Sequence, residues 1–231
     1  MDFAQKIIDY CMENRVSTTE VADALGKSGV IPHMIAVTQD LYRVGPVRPV
    51  FAANISNYLV HEQVRDVQKG EVVIIFTYNC EERAIIGELI AKYILLYRGA
   101  AAVIVKGLVR DGAALRRQRY AVWSEGFSPL GCFNAKNGEF PAELEAEIRA
   151  KYEGGIAICD DGGVTVIPPQ MVNEQMYNQL HKIEVQEDIW FFCLDTLKWD
   201  TKKIVCDKAY LTEQDLLSLK HIESLRDLDV L

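Results

Sequence analysis

A chain of 231 residues, 49% apolar and 25% charged, is long enough for one domain with an appendage and too apolar for global disorder. Its formal net charge of −8 disfavours a broad contact with phosphate backbones, so nucleic acid is not expected as a partner. The opening residues hold no long apolar run, so neither a secretory signal nor a membrane span is expected and the localisation reads as cytoplasmic.

Phe3, Ile7, Ile8 and Cys11 recur at helical spacing and predict a helix over 2–14. Ser17-Thr18-Thr19-Glu20 reads as a capping box opening a short helix through Leu25, with Gly26 as its stop. Residues 34–52 are strand-like, but Pro46 and Pro49 interrupt them and predict edge strands or bends rather than a central strand. A helix from Asn57 to about Val67 leads to the Lys69-Gly70 turn. Val72-Val73-Ile74-Ile75-Phe76 is a continuous apolar run, the pattern of a strand covered on both faces. A helix from Glu82 to Arg98, stopped by Gly99, and a second covered strand, Ala101 to Val105, complete a β-α-β unit with a parallel pair. A further helix begins near Asp111, a strand spans Tyr120 to Trp123, and a charged helix introduced by Pro141 covers 140–152. Ile156 to Cys159 and Val164 to Ile167 pair as a hairpin around Asp160-Asp161-Gly162-Gly163. A helix then runs from Asn173 to Ile183. Residues 190–231 read as strand-like apolar runs and a final helix from Thr212. The expected division is an α/β domain over 1–189 and an extension over 190–231 that packs on the core or on a neighbouring subunit.

Six cysteines, Cys11, Cys80, Cys132, Cys159, Cys193 and Cys206, are scattered singly with no Cys-x-x-Cys pair. They read as reduced, mostly buried thiols rather than a zinc site. The one basic cluster, Arg110, Arg116, Arg117 and Arg119, reads as a solvated helix face.

In an open α/β sheet, ligands collect beyond the carboxyl ends of the parallel strands. Two loops qualify: Thr77 to Glu88, which runs into Gly87-Glu88-Leu89-Ile90, and Gly107 to Gly112, which carries Arg110-Asp111. An arginine fork holds a carboxylate at two points. A carboxylate with waters holds Mg²⁺, which polarises a ketone oxygen. On spacing alone, the plainer reading is preferred: Arg110-Asp111 as a surface ion pair or helix cap, and Glu88 as a solvated helix residue.

Resemblance changes that weighting. Gly87-Glu88-Leu89-Ile90-Ala91, then Arg98-Gly99, then Val103-Ile104-Val105-Lys106-Gly107-Leu108-Val109-Arg110-Asp111 resembles the core signature of the RraA-like family. That family includes class II HMG/CHA (4-hydroxy-4-methyl-2-oxoglutarate) aldolases, oxaloacetate decarboxylases and regulators of ribonuclease E. Val16 to Leu25, Asn57 to Glu62, Lys69 to Val73 and Gly155 to Pro168 are similar to the flanking segments, so the likeness covers roughly 15–183. It implies a β/β/α swivelling-type sandwich with a mixed central sheet, assembled as a homotrimer or higher homo-oligomer with sites near subunit interfaces.

By position, the resemblance gives Arg110 the carboxylate and keto group of a small 2-oxo acid, and Asp111 direct ligation of Mg²⁺ or Mn²⁺. Glu88 would hold metal-bound water, and the amides of Leu89 and Ile90, following Gly87, would cradle the carboxylate. Asp23 would be an acid lent by a neighbouring subunit. The implied chemistry is retro-aldol cleavage or decarboxylation through a pyruvate enolate, whose charge must be stabilised. The alternatives are a non-catalytic regulatory or binding protein and an enzyme of the same fold with a changed reaction.

Several departures from the family pattern stand out. Residues 89–109 separate Glu88 from Arg110, one more than the usual spacing, and the extra residue falls in Tyr93 to Tyr97. Tyr78-Asn79-Cys80 replaces a glycine pair, Ala114 stands where an acid is common, and the charged stretch Phe140 to Gly154 replaces a Gly-Gly-Val strand. Residues 184–231 have no counterpart. Trp190, Phe191, Phe192 and Trp199 in that extension read as packing residues, with a specificity-altering lid as the sharper option. No histidine adjoins Cys80 in sequence, which argues against a catalytic nucleophile there.

Overall fold

Residues 2–213 are described in this structure, a computed structural model. The chain opens with α1 (Phe3–Asn14), which buries Ile7 and Cys11, and α2 (Thr18–Ala24). The α2 capping box forms in full: the Ser17 hydroxyl accepts from the Glu20 amide at 3.1 Å, and the Glu20 carboxylate accepts from the Ser17 amide at 2.6 Å. Ser17→Ala is therefore expected to cost about 1 kcal/mol of unfolding free energy in urea titration, and Ser17→Thr much less. Equal midpoints for Ser17→Ala and the parent chain would show that the cap contributes nothing.

The strands are β1 (Ile35–Ala36), β2 (Arg43–Ala53), β3 (Val72–Tyr78), β4 (Ala84–Ile86), β5 (Ala102–Val109), β6 (Val122–Phe127), β7 (Ile156–Asp160) and β8 (Gly163–Ile167). They form a mixed sheet in the order β1-β6-β5-β3-β2-β7-β8, with β4 added alongside β5. The pairs β2–β3, β3–β5 and β5–β6 are parallel; β7 is antiparallel to both β2 and β8. The mixed α/β architecture and the terminal hairpin are as expected.

The period-2 alternation of β3 sends its side chains into two cores, which is why the whole run is apolar. Val73 and Ile75 join Val103, Val105, Ile90 and Leu115 on one face. Val72, Ile74 and Phe76 join Phe51, Ile104 and Trp123 on the other. The first face is covered by α3 (Tyr58–Gln63), α4 (Glu88–Lys92) and α5 (Gly112–Arg117), which contribute Val60, Ile90 and Leu115. The second is covered by Leu144, Ile148 and Tyr152 of α6 (Ala142–Tyr152) and by the β7–β8 hairpin.

Three expectations are corrected. First, β2 is one long strand in the middle of the sheet despite Pro46 and Pro49. It pairs with β7 only over Arg43 to Pro46 and with β3 only over Val47 to Ala53, so each half leaves one edge free. The Val47 amide donates to Gly155 and the Phe51 amide to the Gln63 side chain, so odd positions face the edge away from β3. Alternation then points the nitrogen of Pro49 at that same edge and the nitrogen of Pro46 at the opposite edge, outside the β7 pairing. Neither proline removes a ladder bond.

Second, the helix expected from Glu82 begins later, because Ala84-Ile85-Ile86 is β4. The β3–β5 pairing stops at Phe76–Lys106, and β4 takes over the open edge of β5 at Leu108 and Val109. Ile85 and Ile86 are β-branched and fully buried, which suits a strand better than a helix start.

Third, residues 190–213 are not strands. A single helix, α7 (Glu174–Asp195), replaces both the shorter helix and the strand-like run. Val185, Ile189 and Cys193 recur at i, i+4, i+8, a helical period, and pack with Ile204 and Tyr210 into a separate small core. The chain divides into two compact units between Val172 and Asn173. The helix expected from Thr212 lies, beyond Glu213, outside the described residues. Among the described residues, no helix is long and apolar enough to cross a membrane.

Candidate functional site

The β4–β5 pairing brings the two expected loops together. The Arg110 amide donates to the Ile86 carbonyl at 3.0 Å, so Gly87, which follows β4, lies beside Arg110 and Asp111, which follow β5. Asp111 sits in the left-handed region, φ 60°, a conformation that Asp tolerates better than most residues. From there its carboxylate reaches back across the loop and accepts from the Glu88 amide at 3.0 Å. A charge at the first turn of α4 is favourable, because that amide has no acceptor within the helix. The amides of Leu89 and Ile90 belong to the same turn and likewise lack intrahelical acceptors.

Arg110 Nε stands 3.8 Å from the Asp111 carboxylate. That is close enough to feel its charge and too long for a hydrogen bond. Among the described residues the Arg110 guanidinium donates no hydrogen bond to another group. Both side chains are about half exposed, 52% and 44%. They present a fork of donors and a carboxylate side by side.

Both line a cavity of about 150 Å³, together with Asn57, His61, Gly87, Leu89, Ile90 and Cys132 among others. Drug-sized pockets occupy about 300–1,000 Å³, so this one suits a ligand of a few heavy atoms and some water. The Gly87 position is set by close approach: a Cβ there would lie 2.2 Å from the Asp111 carboxylate and 3.0 Å from Arg110 Nε.

The structure therefore gathers Gly87, Leu89, Ile90, Arg110 and Asp111 around one cavity. Glu88 contributes its amide to Asp111, but its side chain is not part of the lining. Asp23 is not brought to this cavity within one chain; it lies on α2 in an ion pair with Lys27.

Among the lining residues that sequence reasoning does not single out are Asn57, His61, Gly131 and Asn134. Asn57 is the most informative. Its Nδ2 donates to the Ile85 carbonyl at 2.9 Å, while its Oδ1 is buried with no hydrogen-bond partner. A buried acceptor left unpaired costs about 1–3 kcal/mol, so a donor from a bound ligand or water suits this spot. The sequence signal was an asparagine placed just before the first turn of a helix, which reads equally well as an N-cap. The Asn57 side chain makes no such cap.

The RraA-like family (Aldolase/RraA) matches residues 18–166. Several solved structures share the fold. An uncharacterized protein from Pseudomonas syringae pv. tomato superposes with a TM-score of 0.69 at 18% identity, over 89% of this chain and 94% of that one. A Streptomyces coelicolor protein, described as an unusual member of the RNase ES inhibitor RraA protein family, gives 0.64 at 18% identity, over 80% and 94%. The RNA-processing inhibitor RraA from Thermus thermophilis gives 0.53 at 20% identity, over 66% and 92%. With a family match across most of its length and the same mixed sheet, the chain belongs to the RraA-like (Aldolase/RraA) family.

Proposed function

We propose that the chain is a divalent-metal-dependent lyase that cleaves or decarboxylates a small 2-oxo acid. The observation that carries this reading is the pairing of an uncommitted guanidinium with a cavity-lining carboxylate beside first-turn helix amides. Arg110 grips the substrate carboxylate and keto oxygen through its fork of donors. The amides of Leu89 and Ile90 take the remaining carboxylate oxygen. Asp111 would be the protein's ligand to the cation, with Glu88 assigned its bound waters by the family resemblance.

The donor set fits Mg²⁺ or Mn²⁺. Mg²⁺ keeps most of its waters and needs only one or two carboxylates. The unpaired Asn57 Oδ1 offers an acceptor for such a water. Among the described residues, no three His, Cys, Asp or Glu side chains converge as a closed zinc cage requires. When bound, the cation supplies Lewis-acid polarisation of the ketone. In a homotrimer, Asp23 of a neighbouring copy provides the acid that the cavity of one chain lacks.

Oxaloacetate decarboxylation, and pyruvate release from a 4-hydroxy-2-oxo diacid, test this with Mg²⁺ and with EDTA against protein-free metal controls. Turnover that needs both protein and metal is expected. No metal-dependent turnover on either substrate would sink the lyase reading. The second reading is a regulatory binding protein. It is favoured by the likeness to two proteins described as inhibitors of an RNase or of RNA processing.

A further inference from the structure

Two cysteines that are distant in sequence meet beside the Arg110 cavity. Cys80 occupies the tight turn between β3 and β4, where its carbonyl accepts from the Arg83 amide at 3.2 Å. Cys132 lies on a segment that pairs with β4 as an extra short edge. The Ala84 amide donates to Leu130 at 2.7 Å, and the Cys132 amide donates back to Ala84 at 3.1 Å. Ile55 ties the two segments together, its amide donating to the Asn79 carbonyl and its carbonyl accepting from the Phe133 amide, both at 2.9 Å, and Cys132 packs against the core cluster that holds Cys80. Cys80 is buried in the core, whereas Cys132 is half-buried and lines the cavity.

The contact also splits the two thiols chemically. The hydrogen bond from Cys132, helped by the backbone at Ile55, lowers the Cys80 pKa to about 7, against the opposing pull of burial. Cys132 moves the other way, because its proton is held by Cys80 and burial disfavours its charge. Cys80 Sγ donates to the Tyr78 carbonyl at 3.5 Å, and a thiol whose pKa is drawn toward neutrality beside a partner held protonated matches an attacking and a resolving cysteine. The remaining cysteines lack this arrangement. Burial, with the Asp160 carboxylate nearby, drives the Cys159 thiol upward, burial drives Cys193 upward, and Cys11 is fully buried.

We propose that Cys80 and Cys132 form a reversible disulfide site in the cavity wall, oxidised by hydrogen peroxide. Peroxide is small enough to enter the cavity, which reaches Cys132, the neighbour of Cys80. The Cys80 thiolate attacks one peroxide oxygen, the O–O bond breaks, and the other oxygen takes up a proton and leaves as water. Sulfur is oxidised to sulfenic acid while peroxide is reduced. Cys132 sulfur then attacks Cys80 sulfur; the S–S bond forms, the S–O bond breaks, and a second water leaves with the Cys132 proton. One peroxide thus consumes two thiols and yields one disulfide and two waters. The bond draws Cys132 toward the β3–β4 turn and moves Gly131, whose position backs the Arg110 guanidinium: a Cβ on Gly131 would lie 2.7 Å from Arg110 Nη1. A reversible link of this kind is compatible with a reducing compartment, where such bonds are transient and sensing.

The test is independent of any lyase activity. The full chain is exposed to hydrogen peroxide, free thiols are blocked with N-ethylmaleimide, and the digest is mapped by mass spectrometry. One intramolecular Cys80–Cys132 bridge is expected, forming at least about tenfold faster than oxidation at Cys206, the exposed thiol. Dithiothreitol restores both thiols. In Cys132→Ser, the sulfenic acid at Cys80 persists and is trapped by dimedone. The wild-type map decides the matter even if that variant folds poorly. The proposal is overturned if Cys80 and Cys132 both carry maleimide after oxidation. Sulfinic acid at Cys80 without a bridge, or a bridge through Cys206 between copies as the main product, would overturn it equally.

Discussion

Asp111→Asn is expected to lower metal-dependent turnover by about 10²–10³-fold, the scale of losing one preorganised electrostatic group at a reacting centre. Asparagine is the informative replacement. It tolerates the left-handed backbone at φ 60° and keeps an oxygen to accept from the Glu88 amide. Only the charge and its affinity for a cation are lost, so unfolding free energy should stay within about 0.5 kcal/mol of the parent. Asp111→Ala should lose a similar amount of activity and also about 1 kcal/mol of stability, because it surrenders the bond to the α4 first turn. Steady-state rates at saturating Mg²⁺, paired with urea titrations, separate the two effects. Full activity in Asp111→Asn would remove the carboxylate from the chemistry.

Gly87→Ala should be nearly as severe without touching any charged group. The Gly87 backbone, φ −132°, suits any residue, so strain is not the cause. The added methyl would sit 2.2 Å from the Asp111 carboxylate and 2.9 Å from Arg110 Cγ, distances at which something must shift. The loop is held by the Ile86–Arg110 and Glu88–Asp111 bonds, so relief comes by pushing the two functional side chains out of position. Misplacement by about 1 Å costs on the order of 10²-fold in kcat/KM. The stability loss should be smaller, about 1 kcal/mol for one strained hydrogen bond. A Gly87→Ala protein with parental kcat/KM would mean that Asp111 and Arg110 need not stay where they are.

Much of this arrangement was legible in the sequence, for identifiable reasons. The strands β3 and β5 announced themselves because both faces are covered, leaving no polar position to break the pattern. The hairpin and the capping box are local motifs whose residues satisfy their own backbone. The extra residue placed in Tyr93 to Tyr97 has a structural counterpart. The helix widens there into a π turn, with the Arg98 amide donating to Tyr93 at 3.0 Å, a geometry that absorbs one additional residue.

What was missed depended on long-range partners. The prolines of β2 looked disruptive because the exchange of partners from β7 to β3 is invisible in the strand itself. Ala84-Ile85-Ile86 read as helix because the open edge of β5 that it completes lies more than twenty positions away. Arg110 and Asp111 stand out in the sequence through resemblance rather than spacing. Asn57 and Cys132 entered the same cavity through segments brought in by tertiary pairing, which no local pattern reports.

The most direct measurement is calorimetric titration of oxalate, a planar mimic of a pyruvate enolate that cannot react, into the protein with Mg²⁺ and with EDTA. Binding with Mg²⁺ that weakens by at least about 30-fold in EDTA, and equally in Asp111→Asn, is expected if one cavity holds cation and 2-oxo acid together. Oxalate affinity that is the same with and without Mg²⁺, or unchanged in Asp111→Asn, would contradict it.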